Sequence, residues 1–195
     1  MATTATPMGA EPVDTLSASG SFTGKVRHIK IANAYGTAIF YGDFVKIVAA
    51  GTVEKAAVTT SVVAGTVGIF MGCSYTDPNT NQLTFNQQFI ASTAADDIMA
   101  YVCDDPKLLF RMQGDEAIAQ TGLGNNVSAV NTAGSTSIGR SKNALDGGSI
   151  ATTNTLPLRV VDFVDGPSSA VGDAFTDCIV TYLPLSHAYE TKLGV

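Results

Sequence analysis

The sequence predicts an all-β protein, a small barrel or sandwich built from hairpins. In residues 35–72, Val, Ile, Thr and Phe dominate and Gly recurs at short intervals. β-branched and aromatic residues favour strands, and Gly marks the turns between them. Similar runs recur along the chain. Only residues 114–126 have a composition compatible with a helix, because two acidic residues open the segment and Gly122 or Gly124 would end it.

The strands predicted within this stretch are 37–40, 44–50 with a continuation at 52–55, and 62–71. Gly42 and Asp43 form a turn, and Gly51 interrupts the second run. Lys46 points away from Val45 and Ile47, as a strand with one solvated face requires. No residue pattern here is typical of catalysis, so the stretch favours a structural role.

The chain has 195 residues and a mass of 20.1 kDa, which allows one large or two small domains. We predict one β-rich domain over residues 22–195, preceded by an extended N-terminal arm over residues 1–21. Charged residues make up 14%, against roughly 25% in typical soluble domains. A surface of small neutral residues suits a protein that covers much of itself with partners.

Several partners and cofactors are excluded by composition. The net charge of −6 argues against nucleic acid, which requires a basic face. No apolar run is long enough for a membrane span, and the N-terminus lacks the pattern of a signal peptide. The dispersed cysteines (Cys73, Cys103, Cys178) and histidines (His28, His187) lack metal-ligand spacing. We expect buried free thiols, no metal and no cofactor.

No catalytic constellation is recognisable. A GxSxG turn is absent, and Cys73, the best thiol candidate, has no identifiable histidine partner. The pairs Asp96-Asp97 and Asp104-Asp105 invite a metal or acid–base interpretation. Neighbouring residues on a strand point to opposite faces, however, so neither pair converges on one site. We therefore expect a protein that is not an enzyme.

The remaining chain adds further predicted strands and one long insertion. Strands are expected at 22–32, at 98–103 and 108–112 as a pair turning at Asp104-Asp105-Pro106, and at 158–164 and 177–183. Residues 76–93 form a hairpin or loop excursion. Residues 127–155 are rich in Ser, Thr, Asn and Gly. They form either a long loop or two weak edge strands, near 135–141 and 149–153, with a turn at 145–148.

Candidate contact residues are apolar or aromatic side chains on segments that leave the main domain. Residues 1–21 are either a disordered tail or an arm that orders on a neighbouring subunit. An arm would predict that deleting residues 2–21 abolishes partner binding while the domain stays folded. The predicted contact residues are Met8, Val13, Leu16, Phe22, Phe85, Phe89 and Tyr189.

Two parts of the sequence resemble known virion proteins. Residues 42–56 (GDFVKIVAAGTVEKA) and 66–72 (TVGIFMG) resemble tailed-phage head decoration, or cement, proteins, in which a G-D-x-V … G-x-V … V-x-G-V series builds a small β-barrel. Residues 72–110 together with 171–180 look like small virion structural proteins of marine, cyanophage-like phages. The chain departs from the smallest decoration proteins in its length and in residues 127–155.

The resemblance implies a structural protein, made in the host cytoplasm, on the exterior of an icosahedral capsid. Its implied partners are the major capsid protein and itself, often as a homotrimer that ties neighbouring capsid subunits together. Two alternatives remain open. A tail-tube or head-completion protein is also all-β and self-associating. A carbohydrate-binding module usually presents exposed Trp, and this chain has no Trp.

Overall fold

The computed structural model describes residues 4–17, 22, 24–59, 66–191 and 194. Within these ranges the protein is all-β, as predicted, and its single helical element is a 3-10 turn at Gln120–Gly122. In chain order the strands are β1 Glu11–Thr15, β2 Arg27–Lys30, β3 Phe44–Ile47, β4 Val53–Lys55, β5 Thr66–Thr76, β6 Leu83–Asn86, β7 Met99–Cys103, β8 Leu108–Gln113, β9 Asn126–Val130, β10 Ala144–Ala151, β11 Leu158–Phe163 and β12 Asp177–Tyr182.

These strands form two antiparallel sheets that pack as a sandwich. Sheet A has the order β1-β8-β12-β11-β9-β10. Sheet B has the order β2-β7-β5-β3-β4, and β6 pairs with the far end of the long strand β5. The sheets are not closed on one another, so of the two predicted architectures the sandwich is correct and the barrel is wrong.

Sheet B is buried on both faces. One face packs against sheet A and forms the inner core, to which sheet B contributes Phe44 and Ile69. The opposite face forms a separate outer core, to which it contributes Val45 and Phe70. Alternate residues of a strand point to opposite faces, so a strand buried on both sides has a nearly continuous apolar run. This explains the sequence of β5, TVGIFMGCSYT, in which most residues are buried.

The predicted strands at 98–103 and 108–112 exist as β7 and β8, but their predicted pairing is wrong. Strand β7 lies in sheet B between β2 and β5, whereas β8 lies in sheet A between β1 and β12. The turn at Asp104-Asp105-Pro106 therefore carries the chain from one sheet to the other. By contrast, β11 pairs with β12. The hairpin or loop excursion predicted at residues 76–93 contains one strand, β6, which pairs with residues 73–76 of the long strand β5 that precedes it.

The predicted helix at residues 114–126 does not form. Its N-terminal backbone groups bond to other segments instead, because Gly114 N–H donates to Thr176 C=O at 2.8 Å and Asp115 N–H to Leu145 C=O at 2.9 Å. Ile118 is fully buried in the inner core. Burial of this one side chain and bonding to both neighbours outweigh the weak helix preference of a short segment.

Residues 127–155 are more regular than predicted. Strands β9 and β10 pair with each other, and the expected turn at 145–148 lies inside β10, where the register shifts between Asp146 and Ala151. No strand forms at 135–141 within the described chain, although single bridges involve Ser135 and Arg140. Residues 131–143 therefore form the connection between two paired strands.

Part of the predicted N-terminal arm is an edge strand. Strand β1 pairs with β8 of its own sheet, and Ala10 is fully buried in the inner core. Deleting residues 2–21 would remove this strand and the buried Ala10, so we now expect that deletion to destabilise the domain as well as to affect binding. Residues 1–3 and 18–21 lie outside the described chain.

A buried carboxylate, Asp43, holds several of these segments together. Its side chain is fully buried and pairs with Lys55 Nζ at 2.8 Å. It also accepts hydrogen bonds from Ser141 Oγ at 2.6 Å, Asn143 Nδ2 at 3.3 Å and Phe40 N–H at 2.9 Å. A buried charge is stable only when it is paired and hydrogen-bonded. Asp43 meets this requirement with donors from β4, the 131–143 connection and its own turn.

Replacing Asp43 with Ala should destabilise the protein strongly. The change leaves Lys55 without its buried counter-ion, a type of loss that costs about 3–5 kcal/mol. The free energy of unfolding measured in urea should fall by about that amount. Asp165→Ala is the matched control, because Asp165 is exposed and its removal should change stability little. A loss of less than about 1 kcal/mol for Asp43→Ala would show that the network contributes little.

Candidate functional site

The predicted contact residues are distributed over several surfaces. Met8, Val13, Leu16, Phe85 and Tyr189 are exposed. Phe22 is half-buried against the inner core. Phe89 is fully buried in the outer core, so its prediction as a surface contact is wrong. Strand β6 ends at Asn86, and Phe89 instead exchanges backbone hydrogen bonds with Ile39, which turns its side chain inward.

The most exposed large apolar side chains of the described residues lie on β6. Leu83 is 62% exposed and Phe85 is 65% exposed. The Phe85 ring stacks on Tyr101 of β7, with ring centroids 6.5 Å apart and planes 11° apart. His28 of β2 packs edge-on against the same Tyr101, at 4.5 Å. We call Leu83, Phe85, Tyr101 and His28 the β6 patch.

The β6 patch forms because sheet B extends beyond sheet A. Sheet B contributes to the inner core near the paired residues Ile69 and Cys103. Tyr101, opposite Gly72, and Phe85, opposite Ser74, lie further along the sheet. Beyond that contact, the side chains on the face of sheet B that points toward sheet A are exposed (Leu83, Phe85) or half-buried (Tyr101) among the residues that the structure describes. Aromatic pairs on such a face add about 0.5–1.5 kcal/mol beyond their burial, which holds the Phe85 ring in a defined position.

A second candidate site is a cleft of about 320 Å³ at the turn between β7 and β8, which we call the Asp104 cleft. Asp104 is buried and pairs with Arg27 Nε at 2.6 Å. Tyr189 donates its hydroxyl to Asp104 Oδ2 at 3.0 Å, and the Arg27 guanidinium lies 5.5 Å from the centroid of the Tyr189 ring. The fold thus brings together Phe22 and Tyr189, two of the predicted contact residues, on one cleft wall.

The titratable groups of the Asp104 cleft are not arranged for nucleophilic catalysis. Burial, followed by the hydrogen bond and charge of Asp104, raises the pKa of Tyr189. Burial raises the pKa of the Cys103 thiol to about 11. His187 lies under Tyr189, and burial lowers its pKa. The thiolate is the reactive form of cysteine, so a thiol that keeps its proton at neutral pH is a poor nucleophile.

The other two cysteines are also buried and free, as predicted. Burial raises the pKa of Cys73 and of Cys178 to about 12 in each case. Cys73, the best thiol candidate in the sequence, lies in the outer core and does not line the Asp104 cleft.

The carboxylate pairs found in the sequence each have local protein partners. Asp97 accepts hydrogen bonds from Thr76 N–H at 3.1 Å and from Thr76 Oγ1 at 2.6 Å, and these bonds lower its pKa. Asp96 accepts a hydrogen bond from Asn33 Nδ2 at 2.6 Å. Asp105 accepts one from Thr15 Oγ1 at 2.9 Å. Each of these hydrogen bonds connects two segments that are distant in sequence, so the acidic side chains help to hold the fold together.

The structure also places together three carboxylates that the sequence did not predict as a group. Atoms of Asp115, Glu116 and Asp146 lie within 4.8 Å of one another. Asp115 and Asp146 meet because the backbone at Gly114 bridges to Leu145, a contact with no local sequence signal. Asp115 accepts the Gly147 N–H at 3.0 Å, and Asp146 accepts Ser128 Oγ at 3.2 Å. Two of the three are exposed, so water screens their repulsion and the geometry by itself assigns no metal.

Another cleft, of about 400 Å³, lies beside β1 and is lined mainly by polar residues. Its polar groups are paired with one another. Arg111 forms an ion pair with Glu11 at 3.0 Å, and Gln113 Oε1 accepts a hydrogen bond from the Thr6 N–H at 2.7 Å. Burial raises the pKa of Asp177 on the same wall. These pairs bind the N-terminal segment to sheet A.

Comparison with known proteins identifies no relative: no family model, no curated protein and no solved structure matches this chain. In the described part of the chain, no helix has the length and apolar character needed to cross a membrane.

The raised thiol pKa values predict a loss of stability at alkaline pH. Unfolded thiols release their protons near pH 9, whereas the folded thiols retain them until about pH 11 to 12. The folded state then binds more protons, so stability falls as pH rises through this interval. Urea unfolding between pH 8 and pH 11 should show a declining free energy of unfolding. A triple Cys→Ala variant should show a shallower decline, and an equal slope would exclude the thiols as its cause.

Proposed function

We propose that this protein is a non-enzymatic structural component of a virus particle. It binds the outer surface of an icosahedral phage capsid and bridges neighbouring major capsid subunits, as a decoration or cement protein does. The observation that carries the proposal is the surface: large apolar side chains are exposed on edges and connections of a chain with few charges. The most exposed of these are Leu83, Phe85, Ile138 and Leu185.

The location of the resembling segments supports the proposal. Residues 42–56 and 66–72 contain β3, β4 and the first half of β5, which are adjacent strands of sheet B. The motif therefore corresponds to one continuous piece of the fold. Gly42 in this motif has φ +88°, and a Cβ there would lie 2.9 Å from Met8 C=O. The glycine of the Gly-Asp turn is thus required by the close approach of the N-terminal segment.

Bridging requires at least two separated contact surfaces. The β6 patch lies where β5 pairs with β6, at residues 73–76. Tyr189 lies at the Asp104 cleft, near the opposite end of β7, where Cys103 pairs with Ile69. At about 3.3 Å per residue, Leu83 and Phe85 lie roughly 15–25 Å along the sheet from that end, whereas Tyr101 and His28 lie closer to the cleft. A protein with apolar contacts at both ends can bind two neighbours at once.

A decoration protein needs no catalytic activity. By binding the assembled shell and not its dissociated subunits, it stabilises the assembly by mass action. Buried thiols and paired carboxylates fit this role, because each stabilises the folded domain. The runner-up is a tail-tube or head-completion protein. The uncharged, exposed β6 strand favours it, because it would join copies of the chain to one another.

The proposal predicts binding to emptied heads of the parent phage through exposed apolar side chains. Val13→Lys/Leu16→Lys should weaken binding by about tenfold or more, because each replaces an exposed apolar contact by a charge. Strand β1 keeps its backbone pairing in this variant. Binding is measured by co-sedimentation with the heads, and head stability by thermal release of a dye-accessible interior.

Leu123→Lys is the matched control, since Leu123 is also exposed and apolar but follows the 3-10 turn. Its binding should equal that of the wild type. Failure of the wild type to bind heads would refute the proposal. Rings or tubes formed by the pure protein in electron micrographs would establish the tail-tube alternative in its place.

A further inference from the structure

We propose that β6 is a homodimerisation strand, which pairs antiparallel with β6 of a second copy and joins two copies of sheet B across a two-fold axis. The inference concerns self-association and stands whether or not the protein binds a capsid. It rests on the charges of the sheet edges, on the register of β6 and on the exposure of its side chains.

Among the described residues, four of the five sheet edges carry features that oppose pairing with another chain. Natural sheets protect their edges with charged residues, Pro or bulges. The protecting features here are Glu11, Pro12 and Asp14 on β1; Arg27 and Lys30 on β2; Glu54 and Lys55 on β4; and Asp146 with a register shift on β10. Strand β6 has the sequence LTFN and none of these features.

The lack of charge extends well beyond the strand. Residues 79–95 contain no Asp, Glu, Lys, Arg or His. In an isologous contact each patch meets its own copy, so any charge near the axis would meet a like charge. A neutral edge is therefore compatible with self-pairing, whereas the like charges of β1 (Glu11 and Asp14) and of β2 (Arg27 and Lys30) oppose it. This argument selects a second copy of the chain as the occupant.

In the described part of the chain, the register leaves backbone groups of β6 free to pair outward. Residues of an antiparallel pair alternate between hydrogen-bonded and non-hydrogen-bonded positions. Asp77 N–H donates to Gln82 C=O at 2.9 Å, and in the same register Tyr75 faces Thr84. Gln82 and Thr84 thus bond toward β5. The N–H and C=O groups of Leu83 and Phe85 consequently point away from β5, toward the open edge.

Centring the two-fold axis on Thr84 places Leu83 opposite Phe85 of the partner subunit, and the reciprocal pair forms at the same time. Each such pair exchanges both N–H···O bonds. The apolar side chains then lie side by side on the face of sheet B that carries Tyr101, at Cβ separations of about 4.5–5.5 Å. Phe85 is already stacked on Tyr101, so little side-chain freedom is lost on pairing.

The test is the solution mass of the whole chain, measured by sedimentation equilibrium over a range of concentrations. The wild type should reach twice the 20.1 kDa of one chain. Leu83→Lys should weaken the dimer by about tenfold or more, because the lysine replaces an apolar cross-strand contact. Leu83→Pro should weaken it similarly by removing an outward N–H at the first strand position, where Pro is tolerated. Ile90→Lys, a charge in the same neutral segment but outside β6, should leave the dimer unchanged.

Amide hydrogen exchange distinguishes strand pairing from a general apolar contact. In the wild-type dimer, the backbone amides at positions 83 and 85 should be protected from exchange. In the Leu83→Lys variant at concentrations where it is monomeric, the same two amides should exchange rapidly. Core amides should keep their protection in both proteins. A monomeric or trimeric wild type would overturn the proposal. A dimer that is insensitive to both Leu83 variants, or one whose Leu83 and Phe85 amides stay unprotected, would also overturn it.

Discussion

The buried carboxylate of Asp43 is the interaction on which most of the fold depends. A charge removed from water requires partners, and Asp43 obtains them from β4, from the connection between β9 and β10, and from its own turn. The preceding residue Gly42 accepts the Ala10 N–H at 2.9 Å. The N-terminal strand, sheet B and the longest connection of sheet A therefore meet at one turn. Misplacing β4 or the connection between β9 and β10 would remove partners of the buried charge.

The double burial of sheet B determines the character of the surface. Its strands supply apolar side chains to both the inner and the outer core, and much of the apolar content of the chain is used there. Since few residues are charged, the remaining surface consists largely of small neutral side chains. On such a surface the few charges on edge strands have a large effect on self-association, because a charged edge strand resists pairing with another chain. Strand β6 differs from the other edges in this respect, and it also carries the most exposed apolar pair.

The polar groups have structural uses that agree with a binding role. Asp97, Asp104 and Asp105 each bond to a residue of another segment, and the cysteines are buried thiols with raised pKa values. Such paired and buried groups leave shape, apolar contact and backbone hydrogen bonds as the means of interaction that we propose. Capsid bridging and β6 pairing are both interactions of that kind.

The sequence by itself determined the all-β class and the positions of most strands, because alternation and glycine turns are local properties. The hairpins β5–β6 and β11–β12 were predictable for the same reason. Only the tertiary structure decided that β7 and β8 lie in different sheets, since alternation specifies the face that a residue prefers but not the neighbouring strand. It likewise decided that residues 114–126 do not form the predicted helix, because their backbone bonds to distant segments and Ile118 fills the inner core. Phe85 and Phe89 look equivalent in the sequence, yet one is exposed and the other buried, because the end of β6 lies between them.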